Sequence, residues 1–548
     1  MSVKPNIELG FIGRNEINDA IDPDEHREIT KDREISQGDG YQKCYTFEEA
    51  IRVAGHGRFH YFALLVTGTS MVALVGELIG IGYSGPAAKC DMKFTTSQQG
   101  VLNSIAFLGF VCSSHLWGFL SDTWGRQRSL RLALISTFTF SAMSSLSISI
   151  AMLITTRFFV GFCIAGIQSS ALPFLGELHS NQTRARAVTF ATMCMTLAVL
   201  LMSLISWAIM PMKWSIPLGF ITYTPWRLNI LCCGSISLLG FLMLGFLPES
   251  PKFLLSLGKE QATIDVLKRI HRVNNRSLRT NAAYPVMSIQ RESIGNELAS
   301  TNFKNVIKLI WDQSWPLFVG SHLKNMLLLS YLAAVLYGIS HGLNMWLPHI
   351  YNVLIDYVDE SITVCDVIHS TMGKASQSEI VAIESGNNAS IAATVTECSN
   401  IGNSLTFIMM LFFGIYLILV YVAVGIFIKW ITIKTITAVG LLSSTICGVA
   451  LIWSYNFYVS YVLLSVLLSC ANFASLLGGL CQDLFPTQYK SMAVCFIFMF
   501  GRIGSVAGSN LIGLLITTNC TLVLIIYGCL LSSCVILCLL FLKTPSSK

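Results

Sequence analysis

Stretches of about twenty predominantly apolar residues recur along this 548-residue chain, at roughly 61–83, 98–120, 131–151, 153–177, 187–210, 226–247, 325–350, 404–428, 435–454, 457–482, 492–517 and 521–542. A helix of about 20 such residues is long enough to cross a bilayer. Charged residues make up only 12% of the chain, against about 25% in soluble domains, so a soluble globular fold is excluded. Six stretches precede the hydrophilic segment 248–314 and six follow it. The chain therefore divides into a tail (1–59), a first six-helix half (60–247), a linker (248–314) and a second half (315–543) with an outer loop at 351–403.

The tail is polar and carries no apolar core of a secretory signal, so the first span is expected to act as its own insertion signal, with a partly disordered tail left in the cytosol. With both termini inside, 28 of the 36 Lys and Arg residues fall in cytosolic segments and four in outer loops, as the positive-inside rule requires. The net charge of +6 thus follows from topology; the lipid bilayer is the expected partner and nucleic acid is not.

Three charges interrupt the apolar runs: Glu77, Arg157 and Arg502. A lone charge in a lipid-spanning helix faces a protein interior or a water-filled cavity, which marks a pathway across the membrane. Glu77 suits a proton carrier or cation partner, with a structural ion pair or a protonated core Glu as the alternative. Arg502 presents a forked guanidinium that fits carboxylate or phosphate; its alternative is a salt bridge to Glu77 or Asp483. Arg157 is expected in a structural or gating pair. Tyr337, His341 and Asn344 stand at i, i+4 and i+7, one polar helix face. There His341 can join a proton path or hold a neighbouring helix by a hydrogen bond. Trp226-Arg227 reads as an interface anchor.

Of seventeen cysteines, Cys365 and Cys398 are the only two in the long outer loop, and a disulfide between them is expected on an oxidising face. The same loop holds Asn388-Ala389-Ser390, a glycosylation acceptor; Asn519-Cys520-Thr521 lies against the bilayer. The chain has no Walker glycine loop, no His/Cys metal spacing and no nucleophile elbow. No enzyme activity, cofactor or metal is expected, and energy would come from gradients.

The halves echo each other at equivalent helix ends. Glu177-Leu178 is followed by Arg184 and Ala187, and Asp483-Leu484 by Lys490 and Ala493. Between the second and third spans stands Gly118-Phe119-Leu120-Ser121-Asp122-Thr123-Trp124-Gly125-Arg126-Gln127-Arg128. It resembles the GxLxDRxGRR loop of the major facilitator superfamily, with Thr123 in place of the first Arg. Gly118 is expected to let helices approach, Gly125 to permit a tight turn, and Asp122 to pair with Arg126 or Arg128. The second-half counterpart, from Gly425 through Lys429 to Lys434, has lost its acid.

Arg157-Phe158-Phe159-Val160-Gly161-Phe162-Cys163-Ile164-Ala165-Gly166 resembles the RxxxGxxxxG segment of that superfamily. Pro248-Glu249-Ser250-Pro251-Lys252-Phe253-Leu254 resembles the PESPRFL element shared by sugar porters, organic ion transporters and synaptic-vesicle-type members. A finer resemblance, over about 45–543, is to the synaptic vesicle glycoprotein 2 family. It rests on Ala50–Phe59, Pro86–Met92, Ser206–Pro211, Tyr337-Gly338 and Met345–Pro348; Leu74 stands where vertebrate members carry the first acid of a pair.

The resemblance implies an all-α membrane protein, a twelve-helix major facilitator bundle of two six-helix halves. The protein would be a monomer in the plasma membrane or a vesicle membrane. By alternating access it would carry a small organic, charged and rather anionic solute, with protons as a coupling ion. Two rival readings are a sugar-porter-like carrier, which asks for a cavity rich in Gln, Asn and Trp, and a non-transporting vesicle protein acting in trafficking.

Overall fold

The computed structural model describes residues 44–541 apart from 220, 276–283, 291–314, 356, 359, 370–402, 428–429, 471, 475, 478–483, 486–489 and 517. Asn388, Cys398, Lys429 and Asp483 lie outside the described residues.

A short helix α1 (Phe47–Ala54) leads into the first half: α2 (Arg58–Met92), α3 (Thr96–Trp124), α4 (Arg126–Ser145), α5 (Ile150–Glu177), α6 (Asn181–Ile209) and α7 (Pro225–Leu244). Linker helices α8 (Pro251–Ser256) and α9 (Glu260–Asn274) follow. The second half comprises α10 (Leu323–Ile355), α11 (Ser404–Phe427), α12 (Ile433–Ala450), α13 (Phe457–Leu468), α14 (Lys490–Leu515) and α15 (Cys520–Phe541). Eleven helices among the described residues are long and apolar enough to cross a membrane.

The twelfth, α4, is more polar than the sequence reading of 131–151 expects. It starts at Arg126, includes Arg128 and Arg131, and ends at Ser145. Its hydroxyls are buried against α5 and α7: Ser129, Thr137, Ser141, Ser144 and Ser145 are all inaccessible to solvent or nearly so. The first span also outruns its expected end. Pro86–Met92 lies inside α2, because Lys89 donates to Thr96 and Asp91 is held by α7, so polar residues at the helix end keep partners.

Caps and small residues set the joints. Thr95 and Gln98 form a reciprocal capping box that starts α3, and the Ser149 hydroxyl accepts from Met152 N to start α5. In the second half, Gly504 and Gly508 of α14 lie directly on the backbone at Ala334 and Gly338 of α10, where any Cβ would collide. Small residues at such crossings let membrane helices touch backbone to backbone.

The halves meet along α3 with α14, α2 with α10 and α6 with α11. At the end of the bundle far from the linker they are closed. Gly100 and Gly513 are in contact there, and the Met345 carbonyl lies on Gly82. At the linker end, α1 and α9 cap the first half. β1 (Cys44–Tyr45) and β4 (Ser288–Ile289) pair in parallel, and the Tyr284 hydroxyl donates to Ala50 O at 2.6 Å. β2 (Ile216–Pro217) and β3 (Thr222–Tyr223) form a small antiparallel turn after α6.

The expected Cys365–Cys398 bridge is corrected. Cys365 is bonded to Cys520 at the start of α15, with Cα atoms 5.4 Å apart. Both ends of that bond lie at the same end of the bundle, so the loop after α10 is tied to the last helix rather than closed on itself. Cys90 is disulfide-bonded as well.

Candidate functional site between the two halves

The three lone charges are not brought together. Glu77 and Arg157 form an ion pair at 2.8 Å inside the first half, where Glu77 is 0% and Arg157 1% exposed. Arg157 Nε also donates to the Ser144 hydroxyl at 2.8 Å, while Nη2 has no hydrogen-bond partner. α2 supplies the acid from near its centre, and α5 supplies the base two turns after its start.

Arg502 stands apart, half-buried near the middle of α14. Among the described residues no carboxylate lies within 4.0 Å of it. Nη2 donates to Gln168 Oε1 of α5 at 3.4 Å, and Nη1 lies 3.5 Å from His341 Nδ1 of α10. The guanidinium carbon is 5.0 Å from the ring centre of Phe110, 5.7 Å from Tyr337 and 5.8 Å from Phe107. Rings within about 6 Å attract a cation through their faces. Phe107, Phe110 and Gln168 belong to the first half, Tyr337, His341 and Arg502 to the second, so the cluster spans the seam.

Tyr337, His341 and Asn344 form the expected stripe. All three are half-exposed, whereas the other residues of 335–348 on this helix are buried. His341 stacks on Phe107 with ring centres 5.6 Å apart and shares a hydrogen bond with the Ser505 hydroxyl at 3.2 Å. Asn344 Oδ1 has no hydrogen-bond partner. Further toward the closed end, Asn510 Nδ2 donates to Ser104 Oγ at 2.8 Å and Asn103 Nδ2 to Met345 O at 3.4 Å, both across the halves.

The Gly118–Arg128 loop is built as a network with the segment after α7. Arg126 pairs with Asp122 and, at 3.3 Å, with Glu177 at the end of α5. Ser250 donates to Glu177, and Gln127 N donates to Glu249 at 2.8 Å. Gly125 has φ +116°, and a side chain there would meet the Glu249 carboxylate. One expectation of this loop is corrected: Gly118 has open space where a Cβ would stand, with no described atom within 4 Å. Of the two bases expected for Asp122, Arg126 is the one that pairs with it, and Arg128 is exposed with no ion pair among the described residues. Trp226 and Arg227 are no interface anchor either. Both are buried, with Arg227 bonded to Asp91 at 3.2 Å and to Ser147 O at 2.6 Å.

At the linker end, His56, His60 and His179 gather, with ring centres 4.6 Å (His56–His60) and 4.7 Å (His60–His179) apart. Asn274 of α9 donates to Gly55 O at 2.8 Å and accepts from Phe59 N at 3.1 Å beside them. Burial pushes the His56 and His179 imidazoles below their ordinary range.

Sequence reasoning missed Gln168, Phe107 and Phe110. Gln168 left a signal. It follows Arg157 by eleven residues, about three helical turns, and so shares its face of α5. The two phenylalanines carry no signal beyond their i, i+3 spacing.

Comparison with known proteins bears on the family and the fold. The family described as "Sugar (and other) transporter" matches residues 42–340, more than half of the chain. Human synaptic vesicle glycoprotein 2B is 26% identical over 326 residues, covering 57% of this chain and 48% of that protein. Mouse synaptic vesicle glycoprotein 2C is 29% identical over 255 residues, 46% of this chain and 35% of that one. The chain thus spans about half or less of these relatives. Among solved structures, the partially occluded inward-open xylose transporter XylE from E. coli superposes with a TM-score of 0.61 at 14% identity, covering 89% of this chain and all of that one. A bacterial homologue of the human lysosomal transporter Spinster, inward-facing and unoccupied, gives 0.53 at 12% identity, covering 88% and 95%. At these identities the structures speak for the fold alone.

Proposed function

This chain belongs to the sugar (and other) transporter family of the major facilitator superfamily, and from that premise we propose that it carries a small organic anion by alternating access, coupled to protons. The family consists of multi-pass carriers, not enzymes. The observation that carries the anionic reading is Arg502. It is an always-charged guanidinium in the seam between the halves, with no carboxylate within 4.0 Å among the described residues. An unneutralised charge at membrane depth is costly unless function keeps it, and a forked donor fits a carboxylate or sulfonate. The surrounding rings lower the cost of the empty state and offer faces to an apolar ligand body. Tyr337, His341 and Asn344 would line the same cavity.

Proton coupling belongs to the Glu77–Arg157 pair. A proton on Glu77 would release Arg157, whose Nη2 already lacks a partner, and so shift the packing of α2 against α5. Alternating access is supported by where the halves hold each other. Hydrogen bonds cross the seam at its middle and closed end, whereas the Asp122–Arg126–Glu177–Ser250 network stays within the first half and its linker. The linker end with both termini would face the cytosol. The bilayer would be the plasma membrane or a vesicle membrane, as the names of the relatives suggest, with the protein a monomer, Asn388 glycosylated and no cofactor or metal required.

A sugar-porter-like site is less favoured, because Gln168 is the one amide hydrogen-bonded to Arg502 among the described residues while three rings surround it. The test is uptake into proteoliposomes of a panel of monocarboxylates, sulfonates, organic cations and hexoses, with and without an inward proton gradient. Saturable anion uptake that disappears with Arg502→Ala is expected. Hexose uptake, or no uptake by folded protein, would replace this reading with one of the two rivals.

A further inference from the structure

Arg502 has two hydrogen-bond partners among the described residues, and one of them, Gln168, comes from the opposite half. Gln168 Oε1 of α5 accepts from Arg502 Nη2 at 3.4 Å, and this bond crosses the seam where the ligand would lie. His341 Nδ1, at 3.5 Å, is shared with the Ser505 hydroxyl. The amide oxygen therefore occupies one of the positions at which an anion would meet the guanidinium. It is a weak occupant, being neutral and near the outer limit of a hydrogen bond, where a carboxylate oxygen would form a shorter, charge-assisted bond.

We infer that Gln168 is a specificity-determining residue whose side-chain oxygen holds the place of the substrate's anionic group in the empty carrier and is displaced by it on binding. This rests on the anionic reading of the site and adds the substrate's charge. Among the described residues Arg502 is the one permanently charged side chain in the cluster of Phe107, Phe110, Gln168, Tyr337, His341 and Arg502, so with the His341 imidazole neutral a single negative charge neutralises it. A monoanion fits, its apolar body lying along the Phe110 and Tyr337 rings. A second charge would be left buried without a partner, which is unfavourable. Binding then exchanges the Arg502–Gln168 bond between the halves for a ligand held by α14.

The test is equilibrium binding of radiolabelled benzoate and of the zwitterion 4-(aminomethyl)benzoate to purified full-length protein, in the wild type, Gln168→Glu, Gln168→Ala and Gln168→Met. Gln168→Glu places a permanent counter-charge beside Arg502, so benzoate binding is expected to weaken at least ten-fold while the zwitterion gains relative to benzoate. Gln168→Ala and Gln168→Met remove the competing oxygen, so benzoate binding is expected to tighten by a few-fold. A residue that only supports the fold would weaken binding in every variant, and that result overturns the inference, as does an unchanged benzoate-to-zwitterion ratio in Gln168→Glu. If Gln168→Glu does not fold, the direction of change in Gln168→Met decides alone. Absence of benzoate and related anion binding in the wild type would instead defeat the anionic reading itself, which separates the two failures.

Discussion

Each half carries an arginine within a membrane-length helix, and the surroundings of the two differ in kind. Arg157 faces Glu77 at 2.8 Å, in a pocket closed to solvent within one half. Arg502 faces rings and an amide from across the seam, and is half-exposed. The first arrangement is locally neutral; the second leaves one positive charge where the halves meet. A paired buried charge is held in place by its partner, and removing either one leaves the other stranded. An unpaired cation at a seam is held by nothing that another anion could not replace. Under the proposed function, stability and coupling would fall to the first arginine and ligand binding to the second.

Removing half of the buried pair should have the largest effect on the fold. Arg157→Ala leaves Glu77 buried alone and is expected to cost about 3–5 kcal/mol, read as a large drop in thermal midpoint in detergent. The double variant Glu77→Leu/Arg157→Leu should recover most of it; a double variant as unstable as the single would show that the pair is not acting as a unit. Arg502→Ala is expected to do the reverse. Anion transport should fall at least a hundred-fold while the midpoint stays close to wild type, because no described carboxylate is stranded. A collapse in stability comparable to that of Arg157→Ala would erase the distinction between the two arginines.

Glu77→Gln sharpens the comparison further. The amide oxygen can still accept from Arg157, so folding should be retained, but the proton gradient should no longer drive uptake. Gradient-driven uptake that persists in this variant removes Glu77 from coupling.

The smallest expected effect is at the histidine cluster. His56 and His179 are held below their ordinary pKa of 6.5 by burial. The unfolded chain therefore binds protons more readily than the folded one. Their contribution to stability is complete above pH about 6.5 and is lost as the pH falls toward their folded values. The thermal midpoint should drop modestly between pH 7.5 and 5.5, and less so in His179→Asn. Equal drops in both proteins would place the pH dependence elsewhere. Glu48, Glu177, Arg184 and Lys252 line the adjoining recess with His179 and are the charged groups that face it.

Much of this architecture is legible in the residues themselves. Apolar runs mark the spans because lipid demands them, and the Gly118–Arg128 loop stands out because its glycine, acid and bases fall at fixed spacings. The spacing shows that Asp122 faces Arg126, but it does not show that Glu177 and Glu249, 51 and 122 residues away from Arg126 and Gln127, complete the network. Such long-range closure depends on helix packing. α4 escapes a hydropathy reading of its ends because buried hydroxyls stand where apolar side chains were expected. The disulfide escapes because two cysteines in one loop look like natural partners, whereas Cys520 lies 155 residues from Cys365 and is brought beside it by the bundle. At the site, charged residues announce themselves in an apolar run, but rings such as Phe107 and Phe110 do not, since aromatic residues are common in spans.

In the proposed mechanism Arg502 binds the transported anion while the Glu77–Arg157 pair serves coupling. Counterflow tests it most directly. Proteoliposomes are loaded with unlabelled benzoate, no ion gradient is imposed, and entry of trace labelled benzoate is followed for wild type, Arg502→Ala and Glu77→Gln. Transient accumulation is expected in wild type and in Glu77→Gln, and none in Arg502→Ala. Accumulation that survives Arg502→Ala but fails in Glu77→Gln would contradict it.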